Sequence, residues 1–332
     1  METNELNTSR TRKVCKESTS WSTLSADTKL SHSERIKWLI FNAINNSLPE
    51  NNVDPNLIRS KFCLSVQEME SLWNLIPENA TPSRRLCDFF WHTTDWKQIY
   101  KKIGPVRILE VGCGSGHYGR LLKKLAGSHF EHYLGVDVDK NPKWEISDSS
   151  ISFFQARASD VGSILRSRGP FNLIITQSAL EHFAEDLEFF RQIAFYVNEC
   201  KLPLIQMHLC PSAQCFWTYP WHGIREYSPR TISRISSIYS NQTTSNLVTI
   251  GGKHCNKVHR NTITFPNLLR RKCLKDTNPD AYAKIVKSAL ISDMKNTACK
   301  RPAFYALVMQ SFLDNDFSFI RHTAISLKNF SQ

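Results

Sequence analysis

The sequence predicts an α/β fold: a seven-stranded, mostly parallel sheet with flanking helices. Three observations carry it. Short apolar and β-branched runs recur at 107–111, 133–137, 151–155, 171–176, 203–208, 247–250 and 303–309, too short for helices and suited to strands buried on both faces. Helical patterns separate the first of these runs, the alternation expected of parallel strands joined by crossovers. A chain of 332 residues with 41% apolar content can also bury one large core.

Residues 1–30 are polar with few large aliphatics and read as a disordered tail. Helical stretches follow at 34–44, 64–76 and 87–103, punctuated by Pro and Asn near 49–55 and 79–82. They define an N-terminal helical segment over 31–102, ahead of a main domain over 103–332.

The first strand of that domain runs into Arg-Ile-Leu-Glu-Val-Gly-Cys-Gly-Ser-Gly at 107–116. Gly112, Gly114 and Gly116 remove side chains where the backbone turns tightly and a ligand approaches. In the next stretch Leu121, Leu122 and Leu125 fall at helical spacing, with Arg120, Lys123 and Lys124 on the other face. The glycines therefore occupy a strand-to-helix turn, the place for a mononucleotide-type cofactor at the carboxyl edge of the sheet. A dinucleotide fingerprint needs a further glycine three places after the second, and His117 stands there.

The second strand ends in Asp137, 25 residues after Gly112, where a carboxylate can accept hydrogen bonds from a ribose diol; Asp139 is the neighbouring alternative. The third strand leads into Ala158 and Ser159, while Asp160 opens the next helix. The fourth leads into Gln177, and Leu187, Phe190, Ala194 and Val197 give the following helix its apolar stripe. After the fifth strand, residues 215–229 hold five aromatics, a histidine, an arginine and a glutamate among Pro and Gly breaks. Loops at that edge carry function. Trp217, Tyr219 and Trp221 can stack on a sugar ring or planar acceptor, and Arg225 and Glu226 can hydrogen-bond hydroxyls or carboxylates. Ser228-Pro229 caps a helix reaching about residue 240, and 251–302 reads as a helical insertion before the last strand.

The pattern Glu110-x-Gly112-x-Gly114-x-Gly116 resembles motif I of class I S-adenosylmethionine-dependent methyltransferases, and Leu180-Glu181-His182 resembles the turn after motif IV in their small-molecule and sugar-modifying members. The segment 215–229 is similar to a loop of methyltransferases of polysaccharide synthesis. The resemblance implies a Rossmann-like fold, S-adenosyl-L-methionine as cofactor, and contacts to it from Glu110, Gly112, Gly114, Gly116, Asp137, Ala158, Ser159 and Gln177. It also implies that the helices over 31–102 form a lid, with Phe89, Phe90 and Trp91 either closing over the cofactor or packing in the core. Two positions depart from the family pattern: Arg157 replaces an adenine-reading acid, and Asn172 replaces the commoner aspartate. The Asn/Asp-Pro-Pro-Tyr/Phe string of base amino-methyltransferases is absent from the sequence.

A hydroxyl acceptor must shed a proton, and neutral histidine is the natural base near pH 7. His182, His208 and His222 are expected at the carboxyl edge, with His182 and His222 favoured as catalytic. No metal site is expected: His254, Cys255 and His259 lack a second ligand pair. The ten cysteines form no C-x-x-C pair, and most read as reduced, buried residues; Cys113, inside the glycine turn, is either a reactive thiol or a packing residue, with packing favoured. The formal charge of +12 allows an RNA partner, but the basic residues are spread, and a small-molecule acceptor, a carbohydrate, is favoured. No apolar stretch reaches the roughly 20 residues of a membrane span and no signal-peptide core is present, so a cytoplasmic location is expected. The rival readings are a methyltransferase of RNA or protein, a non-catalytic cofactor-binding subunit and, more distantly, a dehydrogenase.

Overall fold

The computed structural model describes residues 18–20, 24, 30–145, 148–239, 241–296 and 301–324; most of the 1–30 tail lies outside them. Among the described residues nine strands form one sheet: β1 (Ile58–Lys61), β2 (Val106–Val111), β3 (Phe130–Asp137), β4 (Ile151–Gln155), β5 (Leu173–Gln177), β6 (Leu204–Pro211), β7 (Thr243–Ile250), β8 (Phe304–Ser311) and β9 (Thr323–Ala324). Their order is β4-β3-β2-β5-β6-β8-β7-β1-β9. All seven expected strands are present. β8 runs antiparallel to β6 and β7, and β9 antiparallel to β1; the other pairs are parallel.

The two additional strands correct the sequence reading. β1 falls within the segment expected to be helical, yet it pairs with β7 from Ile58 opposite Asn246 to Lys61 opposite Thr249. Its sequence, Ile-Arg-Ser-Lys, has no apolar alternation. Tertiary partners hold it instead: Ser60 Oγ donates to Asn246 Oδ1 at 2.8 Å and Lys61 Nζ to the Asp293 carbonyl at 2.7 Å.

The helices are α1 (His32–Ser47), α2 (Val66–Trp73), α3 (Pro82–His92), α4 (Trp96–Ile103), α5 (His117–Ala126), α6 (Val161–Arg168), α7 (Asp186–Cys200), α8 (Pro229–Ser236), α9 (Lys253–His259), α10 (Phe265–Leu268), α11 (Leu274–Thr277) and α12 (Pro279–Lys295). Alternate side chains of each strand go to opposite faces. Ile108, Leu173, Ile175, Ile205 and Met207 pack with α3, α4, α5 and α12. Leu109, Val111, Leu134, Val136 and Ile174 pack with α6, α7 and α8. Phe89, Phe90 and Trp91 of α3 are buried in the first of these cores, the packing alternative of the two roles expected for them. His208 is also buried, on the second face beneath Phe189 and Phe190. Its Nδ1 lies 3.1 Å from Thr176 Oγ1 and its Nε2 3.3 Å from Gln206 Oε1, and burial pulls its pKa down to about 3. Its expected place at the carboxyl edge is corrected: it sits within β6, three residues before the end reached at Pro211.

Two buried polar residues set the central strands. Asn172 donates through Nδ2 to the carbonyls of Ile103 (2.9 Å) and Pro105 (2.8 Å) and accepts from the Arg107 N–H at 2.8 Å. The departure from aspartate has its reason here, since a carboxylate cannot donate to two carbonyls. Glu110 lies on β2 with 1% of its surface exposed, accepting from the Tyr133 hydroxyl, and burial pushes its pKa up to about 8.

Two measurements follow from these contacts. Asn172→Asp is expected to lose about 1–3 kcal/mol of stability, the cost of stranding buried hydrogen-bonding groups; a urea midpoint equal to wild type overturns the clamp. The folded chain holds a proton on Glu110 that an unfolded carboxyl releases above pH 4.5, so stability from this group declines as pH rises from about 5 to 8. Glu110→Gln removes that decline, and its unfolding free energy is expected to gain roughly 1–3 kcal/mol on wild type across the window. A constant difference in denaturation at pH 5, 6.5 and 8 contradicts it.

Candidate active site

The strand order reverses direction between β2 and β5, and in such sheets ligands bind outside the carboxyl ends of the strands at that point. A cleft of about 800 Å³ opens there, lined by Gly112, Gly114, Asp137, Arg157, Ala158, Ser159, Ala179 and His182 among others. The glycine turn is its floor. The N–H groups of Gly112 and Cys113 both donate to the Val136 carbonyl, at 2.7 and 3.0 Å, which folds the chain back on the end of β3. Gly112 has φ +79°, and a Cβ on it would stand 2.3 Å from that of Ala179. Gly114 has φ +52°, with nothing within 4 Å of where its Cβ would point: the side chain is missing on the open side. Gly116 caps α5 and is not among the cleft-lining residues.

Asp137 ends β3, and its Oδ2 accepts from the Gly114 N–H at 2.7 Å. Carboxylate and glycine turn are thus fixed to each other at the cleft. Val138 and Asp139 line it beside them, and Ala156, Arg157, Ala158 and Ser159 close it from the end of β4. Asp160 accepts from the Arg157 N–H at 3.1 Å and stands just before α6.

Two residues expected at the cofactor lie behind the lining. Glu110 is buried against Tyr133. Gln177 accepts through Oε1 from the Trp91 indole N–H at 2.9 Å. The lining on that side comes from Ser178 and Ala179; Ser178 takes φ +52°, a conformation uncommon outside glycine that turns the chain out of β5. Cys113 is buried and its thiol pKa is raised by that burial, a packing residue.

The second wall is the turn Leu180–His182 and the loop folded on it. The Ile224 N–H donates to the Glu181 carbonyl at 2.8 Å, and Tyr227 donates through its hydroxyl to the Leu180 carbonyl at 3.1 Å. Gly223, φ +66°, has no room for a side chain, because a Cβ would stand 2.8 Å from the Glu181 carbonyl oxygen. The result brings His182 and His222 together edge to face, ring centroids 4.9 Å apart. His182 lines the cleft and its pKa is lowered by burial; that of His222 is raised by Glu181, whose Oε1 is 3.4 Å from His222 Nε2.

The expectation that Arg225 and Glu226 face an acceptor is corrected by the structure, because both side chains are buried inside the protein. Arg225 is 1% exposed and donates to the Ala184 carbonyl (2.9 Å), the Phe183 carbonyl and Ser18 Oγ (2.8 Å), with Asp186 at 3.4 Å. Glu226 accepts from Asn46 at 3.0 Å, and its backbone N–H donates to Asn42 Oδ1 at 3.2 Å. Helix α1 supplies these partners, and Trp38 adds a hydrogen bond to the Gly223 carbonyl at 3.1 Å and a stack on Phe216. The asparagine-rich end of α1 was the signal for this clamp. Trp217 is 58% exposed, Trp221 is half-buried beneath the Arg35 guanidinium, and Tyr219 reaches His259 Nδ1 through its hydroxyl at 3.2 Å. Sequence reasoning also passed over Glu181, whose signal was its place beside His182, and Leu24, Phe183 and Glu185 of the lining.

Among the described residues no helix is long and apolar enough to cross a membrane. No curated protein matches the chain in sequence. Among solved structures, it is similar to the plantazolicin methyltransferase BamL in complex with a triazolic desmethylPZN analog and SAH (10% identity, 74% of this chain and 95% of that chain covered, TM-score 0.45). A cyclopropane-fatty-acyl-phospholipid synthase-like protein from Lactobacillus casei is a second (16%, 75% and 100%, 0.40), and the complex of the Haloferax volcanii Trm112 methyltransferase activator with a putative methyltransferase a third (13%, 68% and 92%, 0.39). Residues 72–248 match the family described as methyltransferase domain. That span is more than half of the chain and contains the glycine turn, Asp137, His182 and His222, so the chain belongs to the methyltransferase domain family.

Proposed function

We propose that the chain transfers the methyl group of S-adenosyl-L-methionine to a hydroxyl of a small molecule, a sugar or glycoconjugate precursor. The observation that carries this reading is the Asp137 carboxylate fixed 2.7 Å from the Gly114 N–H, both on one cleft. A carboxylate at a strand tip suits ribose hydroxyls, and a glycine turn without the dinucleotide spacing suits a nucleoside that lacks a pyrophosphate. The open space at Gly114 admits such a ligand. Val138, Ala158 and Ser159 flank the place for its base, and Glu110 and Gln177 support the turn and β5 from behind. When bound, the cofactor supplies an electrophilic methyl group on a sulfonium.

The chain's own work is alignment, exclusion of water and removal of the acceptor's proton. His182 and His222 are the side chains placed to activate the hydroxyl, one on the cleft wall and the other in contact with it. Trp217, Tyr219 and Trp221 offer apolar faces for a sugar ring. The net charge of +12 supports a second reading in which the acceptor is RNA; steep salt dependence of binding would distinguish it.

Asp137→Ala is expected to weaken S-adenosylhomocysteine binding in calorimetry by about 10–100-fold, the loss of one or two hydrogen bonds to a charged group; unchanged affinity overturns the cofactor placement. Acceptor screening by mass spectrometry is expected to find a carbohydrate gaining one CH₂. With that acceptor, His182→Ala and His222→Ala should each lower turnover by roughly 10²–10⁴-fold while S-adenosylhomocysteine affinity holds. Full turnover in both variants removes the histidines from the reaction.

A further inference from the structure

We infer that Glu181, His182 and His222 bind one divalent transition-metal ion at the wall of the cleft. One ligand atom from each, a carboxylate oxygen and two imidazole nitrogens, lies within 4.8 Å of the others, close enough to surround a single ion after small side-chain rotations. The carboxylate supplies the second, independent observation. Glu181 is fully buried, and neither of its oxygens receives a hydrogen bond; its approach to His222 Nε2, at 3.4 Å, is a charge contact only. A buried carboxylate without donors is costly, and a cation compensates it.

The backbone is built to bring these groups together. Glu181 and His182 are consecutive in the turn after β5, His222 comes from forty residues further along the chain, and the glycine beside it lets the loop close on the Glu181 carbonyl. The neighbouring cation, Arg225, is engaged with Phe183, Ala184 and Asp186.

Two imidazoles and one carboxylate suit borderline ions such as Zn²⁺, Co²⁺ or Fe²⁺ better than Ca²⁺ or Mg²⁺. Three protein ligands leave coordination positions open, the arrangement of sites that act on a substrate. This deepens the hydroxyl-methylation reading and rests on it for its role. The acceptor hydroxyl takes an open position, where its acidity rises, and its proton leaves to water. The oxygen lone pair forms the new C–O bond as the C–S bond breaks, and sulfur keeps that bonding pair as a neutral thioether. The histidines then act as ligands, reversing the expectation from sequence that no metal is held.

The test uses the full chain, stripped with chelator and dialysed, with Zn²⁺ uptake followed by calorimetry and Co²⁺ uptake by its visible absorption bands. Wild type is expected to take up one equivalent and to show nitrogen-ligated Co²⁺ bands. Glu181→Gln and His222→Ala should each weaken uptake by more than the ~10–100-fold that changes outside the ligand shell cost, while His254→Ala does not. S-adenosylhomocysteine affinity, measured on every sample, reports folding and tests the methyltransferase reading separately. No uptake by a wild type that binds S-adenosylhomocysteine overturns the metal site and leaves that reading standing, as does uptake unchanged in both ligand variants. Uptake lost in the ligand variants of a chain that binds no S-adenosylhomocysteine upholds the metal site and overturns the cofactor reading.

Discussion

The ends of β2 and β5 approach each other closely only because Gly112 has no side chain. Ala179 occupies the space a Cβ would need, and two walls of the cleft meet at that contact. On one side the glycine turn hangs from the Val136 carbonyl and meets Asp137; on the other Ser178 and Ala179 lead into Glu181 and His182. A larger residue at 112 would drive the two walls apart. The cleft is therefore defined by one steric constraint at the sheet edge, with the hydrogen bonds around it fixing what the constraint brings together.

A second layer of support lies behind the lining. Trp91 from α3 holds Gln177 at the end of β5, and Tyr133 from β3 holds Glu110 just ahead of the turn. Both contacts support motif residues that stand behind the lining of the cleft. Through them the N-terminal segment is tied into the same core as the sheet, and α1 reaches further, grasping the 212–228 loop through Trp38, Asn42, Asn45 and Asn46.

The parts of the molecule readable from sequence are those where one physical signal dominates. A run such as Ile108 to Val111 ending in alternate glycines has few other structures open to it, and an acid at the tip of the following strand has a natural partner in that turn. Signals failed where burial decides. Arg225 and Glu226 look like surface groups in a polar loop, yet the Arg225 charge is absorbed by carbonyls and Asp186, and burial raises the pKa of Glu226, which accepts from Asn46. His208 reads as an edge histidine, yet polar neighbours on β5 and β6 accommodate it in the core. Strand β1, with its arginine and lysine, becomes a strand only because β7 presents a pairing edge, a long-range fact that no local pattern records. Asn172 looked like a flaw in a motif and is a clamp whose two donors the motif's usual residue lacks.

The far margin of the sheet carries a consequence of its own. Among the described residues β9 lies outermost there and pairs with Ser60 and Lys61 of β1. A long flat border would offer its unpaired amides and carbonyls to another chain. β1 is four residues long and carries Arg59 and Lys61, a short and charged template that resists growth by intermolecular pairing.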